Sequence, residues 1–103
     1  MSGSSVQLTY HNLSELRRAI HGANELGDQV EVKLEIGGVW EDVVTKRSVV
    51  LYANYVPAKL NEAEPRVVDA LVDGEWRKLR QFSETRSFCV LTIHNVKYGN
   101  RLG

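Results

Sequence analysis

Cys89 is the one cysteine among 103 residues, and it stands between Phe88 and Val90 in an apolar run. An apolar setting raises a thiol pKa and suppresses the thiolate that nucleophilic catalysis needs. His94 follows at an odd separation, which in a strand sends it to the face opposite Cys89. The pattern is that of a buried structural cysteine. No Gly-x-Ser-x-Gly elbow and no Ser–Lys motif appears elsewhere. His11, His21 and His94 share no ligand spacing, and with no second cysteine a metal site is not expected. Gly37-Gly38 does not precede a helix, so it is no phosphate cradle. Glu41-Asp42 and Glu62/Glu64 read as solvated charges, because no apolar pocket around them can be argued from the sequence. The chain reads as non-enzymatic, with no cofactor.

Two groups of residues suit binding instead. Arg77, Lys78, Arg80 and Arg86 form the densest basic run and are interleaved with Trp76 and Phe82. Rings beside cations are what single-stranded nucleic acid needs, the ring stacking on bases and the charge meeting phosphate. Arg17 and Arg18 could extend that patch from a neighbouring helix. Against it, alternation along a strand sends Arg77 and Lys78 to opposite faces, and Glu75 and Glu84 bracket the run. Thirteen basic residues balance thirteen acidic ones, so no overall field draws the chain to nucleic acid or to a membrane. The second group is Trp40, Trp76, Tyr52, Tyr55 and Tyr98, which offer the rigid amphipathic area enriched at protein interfaces.

The elements that must position these residues are legible from periodicity. Val6 to Tyr10 alternates as a half-buried strand does. Asn12 to Leu26 reads as the one helix, capped by Asn12 with Glu15 three residues on. Leu13, Leu16, Ile20 and Ala23 form its apolar stripe. Gly27 supplies a left-handed stop. Val30, Val32, Leu34 and Ile36 alternate with charges, and Gly37-Gly38 then reads as a two-residue hairpin turn to a return strand from Val39 to about Thr45. Ser48 to Val56, apolar on both faces, is expected to be central in the sheet, with Tyr52 in the core. A loop is expected from Pro57 to Pro65, with a single helical turn at Ala58–Ala63. Arg66–Val72, the turn Asp73-Gly74 and Glu75–Arg80 make a second hairpin, and Ser87 to Val96 a last strand. Residues 1–5 and 99–103 read as tails.

Two-residue turns fix a register. Glu35 would face Trp40 and Lys33 would face Asp42 in the first hairpin; Leu71 would face Trp76 and Asp69 would face Lys78 in the second. Each tryptophan then lies on the more polar face just beyond a turn. Trp40, Trp76, Glu35, Asp42, Lys78 and Arg80 are therefore the expected partner-binding residues. The two hairpins also align as a degenerate repeat over residues 30–52 and 66–92.

The expected fold is a single α+β domain over residues 1–103. It is an antiparallel sheet of about six or seven strands, strongly curved or barrel-like, with the N-terminal helix packed on it. A curled meander of this length removes vulnerable edges. The element order and Asp73-Gly74-Glu75-Trp76-Arg77 resemble in outline small Sm-like and SH3-like barrels and the ligand-sensing WYL domain; the Trp-Tyr-Leu triplet is absent, and no functional residue is carried over. The polar start Met1-Ser2-Gly3-Ser4-Ser5 is unlike a signal peptide, and no apolar run is long enough to span a bilayer, so a cytoplasmic protein is expected. The functional expectation is a regulator or inhibitor type of module, of the kind phages and mobile elements encode, that occupies the surface of a larger protein. A nucleic-acid-binding barrel and a small-molecule-binding domain are the alternatives, and either a monomer or a homodimer fits.

Overall fold

Asn12 opens the helix as its type requires: its side chain accepts the Glu15 N–H at 3.1 Å, satisfying one of the donors a first turn leaves unpaired. In the computed structural model, which describes residues 4–95, the helix α1 spans Leu13–Asn24. Gly27, at φ 64°, turns the chain out of it as a left-handed residue. Six strands complete the domain: β1 (Ser5–Tyr10), β2 (Val30–Asp42), β3 (Ser48–Leu60), β4 (Val67–Val72), β5 (Glu75–Gln81) and β6 (Ser87–Asn95). Ser4 and Ser5 thus belong to the described chain, whereas the expected C-terminal tail and Tyr98 lie outside it.

All pairings are antiparallel, in the order β1-β6-β2-β3-β4-β5, and β5 returns to pair with the end of β2. Strands β2 to β5 therefore close into a four-stranded barrel, and β6 and β1 extend from it as an open flap. The α+β barrel-like architecture read from the sequence is the one observed. Register brings Val6, Ile93 and Val32 into one cross-strand row, Leu8, Leu91 and Leu34 into the next, and Tyr10, Cys89 and Ile36 into a third. That face takes Leu13 and Leu16 of α1, and it continues into a barrel core of Trp40, Leu51, Val68, Ala70 and Leu79. Cys89 is buried there, and burial pushes its thiol pKa up to about 12.

The first expected hairpin does not form. β2 runs for 13 residues straight through Gly37-Gly38, and β6 follows it in unbroken register from Val30↔Asn95 to Gly38↔Ser87. The positive φ of Gly38, 84°, is spent on a bend within the strand. Opposite that bend, three steps along β2 from Ile36 to Val39 match six along β3 from Val56 to Val50, so β3 bulges outward. The bend lets the first half of β2 serve the flap and its second half serve the barrel. Neither Glu35/Trp40 nor Lys33/Asp42 is a cross-strand pair; Glu35 faces Pro57, and Lys33 pairs with Glu35 along its own strand at 3.7 Å. The return strand ends at Asp42.

Asp73 and Gly74, at φ 51° and 81°, do make the two-residue turn, and Leu71↔Trp76 and Asp69↔Lys78 pair as expected. The two stretches aligned as a repeat thus take different conformations. β3 continues through Pro57 to Leu60, which replaces the expected helical turn and shortens the connection to Asn61–Arg66. Asn61 shapes that turn by accepting the Ala63 and Glu64 N–H groups at 3.0 and 2.9 Å. No helix among the described residues is long and apolar enough to cross a membrane.

Candidate functional site

The β3 bulge and the β5–β6 connection meet over the Gly37-Gly38 bend. A Cβ on Gly37 would lie 2.8 Å from the Phe88 ring, the Tyr55 ring and the Tyr52 carbonyl, and one on Gly38 would lie 2.0 Å from the Arg86 carbonyl. The two glycines are therefore a floor, and the absence of side chains there lets four other residues converge. Trp40 supports the floor from beneath: it is fully buried, and its indole N–H donates to the Gly37 carbonyl at 2.8 Å.

Above the floor is a ledge of rings. Tyr55 meets Phe88 edge-on at 5.7 Å, and Phe88 meets His11 at 6.0 Å. Arg86 lies 5.4 Å from the Phe82 ring and donates to the Tyr52 hydroxyl at 3.4 Å. Tyr52, Tyr55 and Phe82 remain 59%, 47% and 48% exposed. Edge-on ring pairs and cation–ring contacts each contribute roughly 0.5–1.5 kcal/mol and hold the rings in place.

Ser87 locks the 82–87 connection that carries Phe82 and Arg86. Its buried hydroxyl accepts the Phe82 and Ser83 N–H groups at 2.8 and 3.2 Å and donates to the Val39 carbonyl. The Arg86 carbonyl in turn accepts the Val39 N–H at 2.9 Å. Asn12, at the start of α1, donates to Glu84 at 3.3 Å and ties the helix to the same connection. The ledge is thus preorganised by backbone bonds on both sides.

The residues expected to bind are distributed otherwise. Trp40 is core, because the strand that was to turn before it continues and carries its ring into the barrel. Asp42 is also buried, at 3% exposure. Its Oδ1 accepts the Val44 and Thr45 N–H groups at 2.8 and 3.0 Å and so builds the turn after β2, while Oδ2 pairs with Arg77 at 3.4 Å. The Thr45 N–H, followed by the Val44 N–H and the Arg77 guanidinium, holds the Asp42 carboxyl below its ordinary pKa against the opposing cost of burial. A depressed folded-state pKa contributes stability that is complete above the unfolded value and is lost as pH falls through the folded one. Asp42→Asn is expected to cost about 1–3 kcal/mol at neutral pH and to flatten the acid limb of a stability-versus-pH curve measured by urea titration.

Of the expected partner-binding set, Trp76 alone stands out in water as a large ring, 53% exposed at the β4–β5 hairpin with Lys59 4.5 Å above its face. The basic run is largely engaged. Arg77 pairs with Asp42 and Glu75, and Arg80 pairs with Glu41 at 3.6 Å. Arg17 donates to the carbonyls of Pro65, Asn61, Glu64 and Val67 and fastens α1 to the β3–β4 connection. Lys78 and Arg18 are exposed. Of that set, the structure brings Arg86 onto the ledge.

Tyr52, expected in the core, is instead on the surface because the bulge gives it φ 38° and turns it outward. Phe88 and His11 were missed as ledge residues. The signal that could have found them is the adjacent glycine pair, which marks close backbone approach as readily as a turn. A groove of about 610 Å³ also runs between α1 and the barrel, floored by Ile20, Val32, Leu34 and Leu60. Among the described residues no three His, Cys, Asp or Glu side chains come together. No family model matches the chain, and searches of curated proteins and of solved structures find no match either.

Proposed function

We propose that the chain is a non-enzymatic protein-binding module that acts by occupying a partner's surface, and that Tyr52, Tyr55, Phe82 and Arg86 are its contact residues. One observation carries the reading: three large rings and a guanidinium are held rigid yet exposed on a single ledge. Rigid aromatic and arginine side chains are the types that dominate binding energy, because little rotamer entropy is lost when they are covered. The ledge's Arg86 guanidinium suits a partner patch that is apolar and carries a carboxylate. The engaged state of Arg77 and Arg80 favours this reading over nucleic acid, since phosphate would have to displace existing ion pairs.

The test compares capture of partners by the native protein, by Tyr52→Ala/Arg86→Ala and by Trp76→Ala. The ledge variant is expected to weaken a captured partner's affinity roughly 30-fold or more, as loss of hot-spot residues does. Trp76→Ala is expected to leave it within a few-fold. Equal retention by the ledge variant, or single-strand binding that falls steeply with salt and survives the ledge substitutions, overturns the assignment.

A further inference from the structure

β1 is a sheet edge without the usual protection. Its six residues, Ser5-Val6-Gln7-Leu8-Thr9-Tyr10, include no charge, no proline and no glycine, and it pairs with β6 without a register shift. Natural edge strands are commonly blunted by lysine, proline or a bulge, because unpaired N–H and C=O groups template another strand. Which groups are unpaired follows from one bond. Asn95 donates to the Ser4 carbonyl at 2.8 Å, so the row Ser4, Val6, Leu8, Tyr10 directs its backbone groups at β6. Ser5, Gln7 and Thr9 therefore direct theirs away from the sheet. The apolar face of β1 is also incompletely covered, with Val6 and Leu8 52% and 38% exposed.

We infer that β1 is a homodimer edge, pairing antiparallel with β1 of a second copy about a two-fold axis through Gln7. The geometry selects both partner and register. Centred on Gln7, the outward residues meet only outward residues: Gln7 faces Gln7, and Ser5 faces Thr9. Each of these pairs exchanges both backbone hydrogen bonds. The intervening row sets Val6 against Leu8 on the apolar face, so each covers the other. A centre at Leu8 leaves fewer outward groups matched. With no charge on the strand, a copy of itself meets no like-charge opposition, the usual obstacle to self-pairing. The joined sheet runs continuously through both flaps, and the ledge residues take no part in it.

So short an edge supports association in the micromolar range, read by sedimentation at about 100 μM protein. The native chain is expected to be dimeric there. Gln7→Pro removes an N–H that points away from β6 and that the β1–β6 ladder among the described residues does not use, at the kind of edge position proline tolerates. It is expected to weaken association roughly tenfold or more with the circular dichroism unchanged. Gln7→Cys is expected to form a covalent dimer in air, since residues facing across such a pair have Cα atoms about 5.5 Å apart, within disulfide reach. Cys89, buried and with its thiol pKa raised, does not compete. Val44→Cys, on an exposed turn, is the monomeric control. A native chain that is monomeric at this concentration, a Gln7→Pro dimer as strong as the native one, or a Gln7→Cys that cross-links no faster than Val44→Cys overturns the inference.

Discussion

Gly38→Ala is expected to destabilise the fold by at least about 3 kcal/mol, and so to leave much of the protein unfolded. Two independent effects combine. The added Cβ would lie 2.0 Å from the Arg86 carbonyl carried by the locked 82–87 connection, and φ 84° is strained for any residue with a side chain. The obstructing atom is backbone, held by the Val39 N–H, so a rotamer change cannot relieve it. Gly74→Ala is the internal comparison. Gly74 has a similar φ, 81°, but nothing lies within 4 Å of its added Cβ, so only the conformational strain applies, about 1–2 kcal/mol. Urea unfolding of both variants measures the difference directly. Equal losses would mean that close approach at Gly38 contributes nothing.

The two tryptophans are expected to behave oppositely. Trp40→Ala removes a fully buried ring and the Gly37 hydrogen bond beneath the ledge, at a cost of about 3–5 kcal/mol. Trp76→Ala removes a half-exposed ring and a cation–ring contact, worth about 1 kcal/mol or less at an exposed site. Fluorescence separates them without any loss of fold. In Trp76→Phe the remaining emission is expected to be blue-shifted and resistant to iodide; in Trp40→Phe it is expected to be red-shifted and readily quenched. A quenchable Trp40 would remove the floor from under the ledge and the contact surface with it.

How far the sequence reaches is clearest at the glycines. Asp73-Gly74 and Gly37-Gly38 carry the same local signal, two residues able to take positive φ between apolar runs, and only one is a turn. The difference is tertiary. β6, fifty residues further on, pairs with β2 across the glycines and keeps the strand extended, and no local pattern contains that pairing. Alternation did identify which β2 side chains up to Ile36 face the core. Continued through the glycines, the same parity places Trp40 in the core with Ile36; it was the assumed turn that sent the ring to the polar face. The helix was legible to within two residues since its cap, stripe and stop are local. The ledge was not, as its residues come from just past β1's end, the bulge in β3, the β5–β6 connection and the start of β6. Asp42 and Arg17 were read as surface charge; their partners are backbone N–H and carbonyl groups of turns, which composition does not reveal.

The pairing of β1 with β6 joins Ser5 to His94 and Tyr10 to Cys89, nearly the whole length of the described chain. During synthesis β1 therefore waits for β6, the strand at the other end of the described residues. The barrel strands β2 to β5 are contiguous in sequence and can pair as they emerge, whereas β1 and the first half of β2 remain without their mate until β6 is released. Non-local closure of this kind slows folding toward the millisecond-to-second range typical of β-rich domains. The flap is thus completed only once β6 is available, and until then the uncharged β1 strand is open on both of its edges.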